Sequence, residues 1–215
     1  MKFGCFGCLF LGVGILLVLV LVAGVLFLSG NIFMSPDARP VSFTKADGYA
    51  AQQKLYEVIL RQTGQSTRKD PITLTEREAS AFLSRHLGET ERVPLSKLTV
   101  RFDVDEFVAQ GETPLRTLVQ NPIFSYLIPQ TLAKHLDQPI WVTVRGKIAI
   151  QTSSVGTKQY GIVKVTELIL GRQPVSPLLL YVTMGPSGGG LFEWPVPGSV
   201  DSVQIQKGQA IIRTR

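Results

Sequence analysis

Between Phe3 and Leu28 the chain carries no charged residue, and Leu9 to Leu28 is an unbroken run of 20 apolar residues and glycines. As a helix this run would rise about 30 Å, the thickness of a bilayer's hydrocarbon core. Sixteen of the 20 are Leu, Ile, Val or Phe, worth roughly −5 to −9 kcal/mol on an insertion scale before the glycines are discounted. The run reads as a spanning helix, with 1–30 as the membrane anchor. A cleaved signal peptide would have an apolar region of about 7–15 residues and a small-residue cleavage site. Here the run is longer, and Val25-Leu26-Phe27-Leu28-Ser29 offers no such site. A lipoprotein signal needs its cysteine after the apolar run, whereas Cys5 and Cys8 precede it.

Lys2 lies before the run, and the next basic residue, Arg39, follows it with Asp37 close by. The positive-inside tendency then expects a single-pass protein of the cell membrane, with its N-terminus in the cytoplasm. Residues from about Ser35 onward would lie outside, in the periplasm of a Gram-negative source. Cys5-x-x-Cys8 lacks the further ligands of a structural zinc site, since His86 and His135 fall beyond the membrane run. It also lacks the strand-to-helix setting of a redox motif. The pair reads as small apolar residues at the membrane edge, with palmitoylation as the alternative in a eukaryotic source.

The formal charge is +6, and Lys134 to Arg215 holds nine Lys or Arg against four acids. Anionic headgroups would attract such a surface. No basic stripe interleaved with aromatics marks a nucleic-acid binder.

Residues 31–40 read as a short tether and 41–215 as one extracytoplasmic domain. In SFTKADGYAAQQKLYEVILRQTG, Tyr49, Gln53, Tyr56 and Leu60, and also Ala51, Leu55 and Val58, fall at helical spacing. A helix is expected there, capped at Thr44 or Asp47 and ending before Gly64. Ile72 and Leu74 suggest a short strand. Thr75 and Glu78 then form a capping box for a helix whose stripe is Ala79, Phe82, Leu83 and Leu87, closing at Gly88.

From Leu98 the period changes to two. Leu98, Val100, Phe102 and Val104 alternate with polar residues, which places Asp103 and Asp105 on a wet face. PIWVTVRGKIAIQ and YGIVKVTELIL read as a long antiparallel hairpin with a bulge or bend at Gly146, and VDSVQIQ with AIIRTR as a final strand pair. Residues 112–138, broken by Pro122 and Pro129, suggest short helical turns around the apolar Ile123–Ile128. After Gly171, Pro174 and Pro177 are expected to lead the chain out of the sheet, into a nearly all-apolar helix from Leu178 to Met184.

No G-x-S-x-G or H-E-x-x-H occurs, and Gly188-Gly189-Gly190 lacks the Gly-Lys-Ser/Thr ending of a P-loop. Two histidines and no evident carboxylate pair leave general acid–base catalysis without its players. The expectation is a chain that is not an enzyme, with no cofactor and no metal.

The order of anchor, short strand, capped helix and long hairpin continues into VTELILGRQPVSPLLLY and EWPVPGSV, ending in KGQAIIRTR. In this it resembles a poorly characterised family of single-pass bacterial envelope proteins. In element order it is also similar to small tubular lipid-binding (TULIP-like) domains. The resemblance implies an α+β fold: an N-terminal transmembrane helix, then a curved antiparallel sheet packed with two or three helices. It also implies an apolar groove for acyl chains. Its lining would be Val142, Val144, Ile148, Leu178, Leu179, Val182, Phe192 and Trp194. The function expected is to bind or present a lipid or other apolar ligand without catalysis. The alternative is a scaffold that docks an envelope protein partner.

Overall fold

The computed structural model describes residues 30–36, 41–88, 95–118, 136–152, 158–177 and 193–215. Residues 1–29 of the expected 1–30 anchor, the apolar Ile123–Ile128, His135, and the Leu178–Met184 helix with Leu178, Leu179 and Val182 lie outside them, as does Phe192. Among the described residues no helix is long and apolar enough to cross a membrane. The elements, in chain order, are α1 (Lys45–Gln62), β1 (Ile72–Thr75), α2 (Glu76–Gly88), β2 (Ser96–Phe102) and β3 (Phe107–Pro114). There follow the single turn α3 (Leu115–Leu118), β4 (Pro139–Thr152), β5 (Gln159–Leu170) and β6 (Gln173–Val175). The described chain ends with β7 (Glu193–Val196), β8 (Val200–Gln206) and β9 (Gln209–Thr214).

The fold is α+β with antiparallel sheets and few helices. Where one curved sheet is expected, there are two: β1-β9-β8, and β2-β3-β4-β5-β6 with β7 also on β5. The division follows from β9, whose free edge takes β1 (Leu74 opposite Ala210), so the C-terminal hairpin builds its own sheet.

Both long helices open on capping boxes. Thr44 Oγ1 accepts from the Asp47 N–H at 3.4 Å, and Asp47 Oδ2 accepts from the Thr44 N–H at 2.7 Å. In the second box the Thr75 N–H donates to Glu78 Oε2 at 2.9 Å and the Glu78 N–H to Thr75 Oγ1 at 3.3 Å. In α1 the aliphatic stripe faces inward: Ala51 and Val58 are buried, while Tyr49 and Tyr56 are 56% and 57% exposed. Of the two helical stripes in that sequence, the aliphatic one takes the core, with Val58 packed on Ile72 and Val200.

Strand β2 stops at Phe102, so Asp103, Val104 and Asp105 are not its continuation. The Asp103 N–H donates to the Glu106 carbonyl at 2.8 Å, and Asp105 has φ 60°, closing a tight turn into β3. Val104 is therefore 67% exposed. The outer edge of β2 is covered by α2 through side chains. Ser80 Oγ, fully buried, accepts from the Val100 N–H at 2.8 Å and donates to the Val100 carbonyl at 3.2 Å. Glu76 Oε1 accepts from the Phe102 N–H at 2.8 Å. A strand edge whose groups are satisfied in this way cannot template another strand.

The chain also does not leave the sheet at Gly171. It turns through Gly171-Arg172 and returns as β6, with Pro174 opposite Ile169. A proline is tolerated there because β6 is an edge strand. Gly171 has φ +61°, and a Cβ on it would lie 2.2 Å from the Ile32 carbonyl oxygen and 2.4 Å from that of Asn31. Only glycine admits that approach. The Arg172 N–H donates to the Asn31 carbonyl at 2.9 Å, Arg172 Nε to the Ser35 carbonyl at 3.0 Å, and Ile32 and Phe33 pack on the core. Part of the expected tether is thus built into the domain.

The core lies on one face of the larger sheet. Ile140, Val142, Leu168 and Leu170 pack with Leu115 at one end, and Ala79, Val100, Phe102, Ile205 and Ala210 in the middle. Val58, Ile72 and Val200 close the far end beneath α1.

Candidate functional site

Alternation along β2, β3, β4 and β5 sends a second set of side chains to the opposite face. Register aligns them in two rows across the sheet. One row runs Thr99, Gln110, Thr143, Ile169; the next runs Arg101, Val108, Arg145, Glu167. The tripeptide Thr-Val-Arg occurs in both β2 (99–101) and β4 (143–145). Its two copies flank β3, so Gln110 sits between two threonines and Val108 between two arginines.

Over these rows lies an open-mouthed cavity of about 700 Å³. Its floor is Gln110 and Thr143, both buried, with Val108 and Ile169 beside them. Gln110 Nε2 donates to Thr143 Oγ1 at 3.3 Å. The neighbouring Thr99 Oγ1, also buried, has no hydrogen-bond partner among the described residues. One wall is Pro36, Gly171 and Arg172; the other is Glu76, Asp103 and the Lys207-Gly208 tip of the β8–β9 hairpin. That tip is held in place: the Gly208 N–H donates to the Phe102 carbonyl at 2.9 Å, and the Glu76 N–H to the Gly208 carbonyl at 3.4 Å.

Four cations line the cavity, Arg101, Arg145, Arg172 and Lys207, against two acids, Glu76 and Asp103. Both acids accept backbone hydrogen bonds, Glu76 from Phe102 and Asp103 from Val104. Arg145 Nε lies 3.2 Å from Glu167 Oε2 and Arg145 Nη1 lies 3.8 Å from Glu106 Oε2, so this guanidinium is ion-paired with two carboxylates outside the lining. Arg101 and Lys207, both exposed, have neither a hydrogen bond nor an ion pair among the described residues.

Of the side chains expected to line an apolar groove, the four described ones, Val142, Val144, Ile148 and Trp194, do not line this cavity. Val142 is buried in the core with Val144 packed on the same cluster, and Ile148 packs on the Val100–Ile205 cluster. All three face away from the cavity, on the packed side of β4. Trp194 lies against Gly161, where a Cβ would come within 2.6 Å of the indole. The lining residues Arg101, Thr143 and Arg145 were readable as the polar half of two alternating strands. Arg172 and Lys207 reach the cavity from turns, for which no period exists.

A second cavity, about 510 Å³, lies between the start of α1 and the end of α2, with Phe43, Gly48, Tyr49, Ala81 and Arg85 on its walls. Arg85 stacks over the Tyr49 ring at 5.6 Å. His86 stacks on Phe82 at 4.1 Å, its Nδ1 donating to the Phe82 carbonyl at 2.9 Å. Among the described residues no group of three or more His, Cys, Asp or Glu could hold a metal ion. Comparison with family models, with curated proteins and with solved structures finds no match.

Proposed function

We propose that the chain is a membrane-anchored envelope domain that binds or presents a lipid without catalysing a reaction, and that the cavity over the Gln110–Thr143 row is its binding site. The observation that carries the reading is that cavity, whose volume of about 700 Å³ falls in the range of small-molecule sites. Its lining suits an amphiphile: Val108 and Ile169 offer apolar surface beside the amide of Gln110 and the hydroxyl of Thr143. The 20-residue run from Leu9 to Leu28 supplies the anchor, and the resemblance to single-pass envelope proteins supports the placement outside the cytoplasm.

The second reading, a scaffold that docks a protein partner, is favoured by Tyr49, Tyr56 and Ile59 of α1, each at least half exposed. Native mass spectrometry of the full chain, released from micelles, separates the two. A stoichiometric lipid retained from the membrane of origin is expected under the binding reading. A chain that carries no lipid, and takes none when phospholipid is added, would leave the scaffold.

A further inference from the structure

Resting on that binding reading, we infer that the cavity selects the headgroup of a net-anionic phospholipid drawn from the membrane in which the chain is anchored. The first support is charge. Four cations surround the floor, and the two acids there are already engaged by backbone N–H groups. Arg101 and Lys207 bring positive charge with no partner of their own among the described residues, while Arg145 is already ion-paired with Glu167 and Glu106. A phosphate oxygen is the acceptor that arginine's fork matches best. The buried hydroxyl and amide groups of the floor can bond to a glycerol or ester oxygen.

The second support is position. Pro36 forms part of the cavity wall and stands eight residues beyond Leu28, the end of the apolar run. Eight residues reach at most about 30 Å. The Arg172 bonds to Asn31 and Ser35, with Ile32 and Phe33 in the core, hold this stretch on the domain. A chain anchored through its first 29 residues therefore keeps the cavity at the membrane surface, where a headgroup is at hand and free phosphate has no advantage. The third support is preorganisation, since the hairpin tip bearing Lys207 is fastened to Phe102 and Glu76 rather than left to swing.

The test is equilibrium dialysis of the full chain in micelles, with empty micelles as the blank. The probes are dihexanoyl phosphatidylglycerol, dihexanoyl phosphatidylcholine and inorganic phosphate. The phosphatidylglycerol is expected to bind about tenfold more tightly than the phosphatidylcholine, a difference of about 1.4 kcal/mol, with phosphate not retained. The double variant Arg101→Gln/Lys207→Gln should lose that preference while melting like the wild type, because both side chains are exposed and unpartnered. Raising the salt to about 0.5 M should narrow the preference as well. Equal retention of the two lipids overturns the headgroup inference and leaves the binding reading standing. Retention of inorganic phosphate as tight as that of phosphatidylglycerol overturns the lipid source. Retention of neither lipid overturns the binding reading and the inference together.

Discussion

The two faces of the six-stranded sheet are built from the same strands and obey opposite rules. On one face Ile140, Val142, Leu168 and Leu170 are closed off by α3, by Ile32 and Phe33, and by one another. On the other, residues one step along the same strands, Thr143, Arg145 and Ile169, line an open cavity. A packed face holds the molecule together and has no freedom to bind anything. A face carrying Arg101, Arg145 and a polar floor, with Arg172 and Lys207 brought over it by turns, leaves room for a ligand. Where a fold shows both, the search for function belongs on the face that packing does not explain.

The sharpest way to break this contrast is a pair of adjacent truncations in β5. Leu168 is 1% exposed, and Leu168→Ala is expected to cost about 2–5 kcal/mol by opening a void that neighbours cannot fill. Ile169, half-buried on the cavity side, should cost at most about 1 kcal/mol when cut to Ala. Urea unfolding midpoints of the two variants, at a common m-value, give the comparison. Equal losses would mean that the cavity face is as closely packed as the core, and the site would be lost with it. Next in size is Ser80→Ala. The Val100 N–H and carbonyl both use the Ser80 hydroxyl, and leaving them buried and unpaired should cost about 1–3 kcal/mol. A neutral result would show that α2 covers the β2 edge by shape alone.

How much of this was legible in the sequence depends on the period of each part. Thr75 and Glu78 announced the second cap, because a capping box is a local pattern of fixed spacing. For the first the sequence offers Thr44 or Asp47, and the structure makes Thr44 the cap and Asp47 its N3 partner. The long β4–β5 hairpin was legible from alternation. Strand β3 was not: in FVAQGETP no apolar alternation survives, since both its edges are paired and its burial comes from β2 and β4 rather than from its own side chains. The turn at Gly171 is hidden in the sequence for a related reason. Its prolines signal the end of a strand, but the contact that requires glycine comes from Asn31 and Ile32, 140 residues away along the chain. The cavity itself was half visible, since Thr-Val-Arg stands twice in the sequence. Only the register reveals that the two copies flank one strand.

Electrostatics separates the same two sides, with the smallest expected effect. On the packed side Lys54 Nζ donates to both Glu78 oxygens at 2.7 and 2.8 Å and to the Thr73 carbonyl at 2.8 Å, joining α1, β1 and α2. Burial pushes the Glu78 carboxyl up. The Lys54 hydrogen bond and charge, with the Thr75 hydrogen bonds, outweigh that and hold it below the usual carboxylate range. A carboxylate depressed in the folded state stabilises fully above its unfolded pKa, about 4.3 for Glu. That contribution is lost as the pH falls through the folded value. The gap in unfolding free energy between the wild type and Glu78→Gln should therefore be widest near neutral pH and shrink below about pH 4, as read from urea midpoints across that range. On the open side, the Arg145–Glu167 pair is about 40% exposed on each partner, so Glu167→Gln should change stability by no more than about 1 kcal/mol at neutral pH. If Glu167→Gln proved the costlier change, the open face would be holding the fold together. Its cations would then be structural, and no longer available to a headgroup.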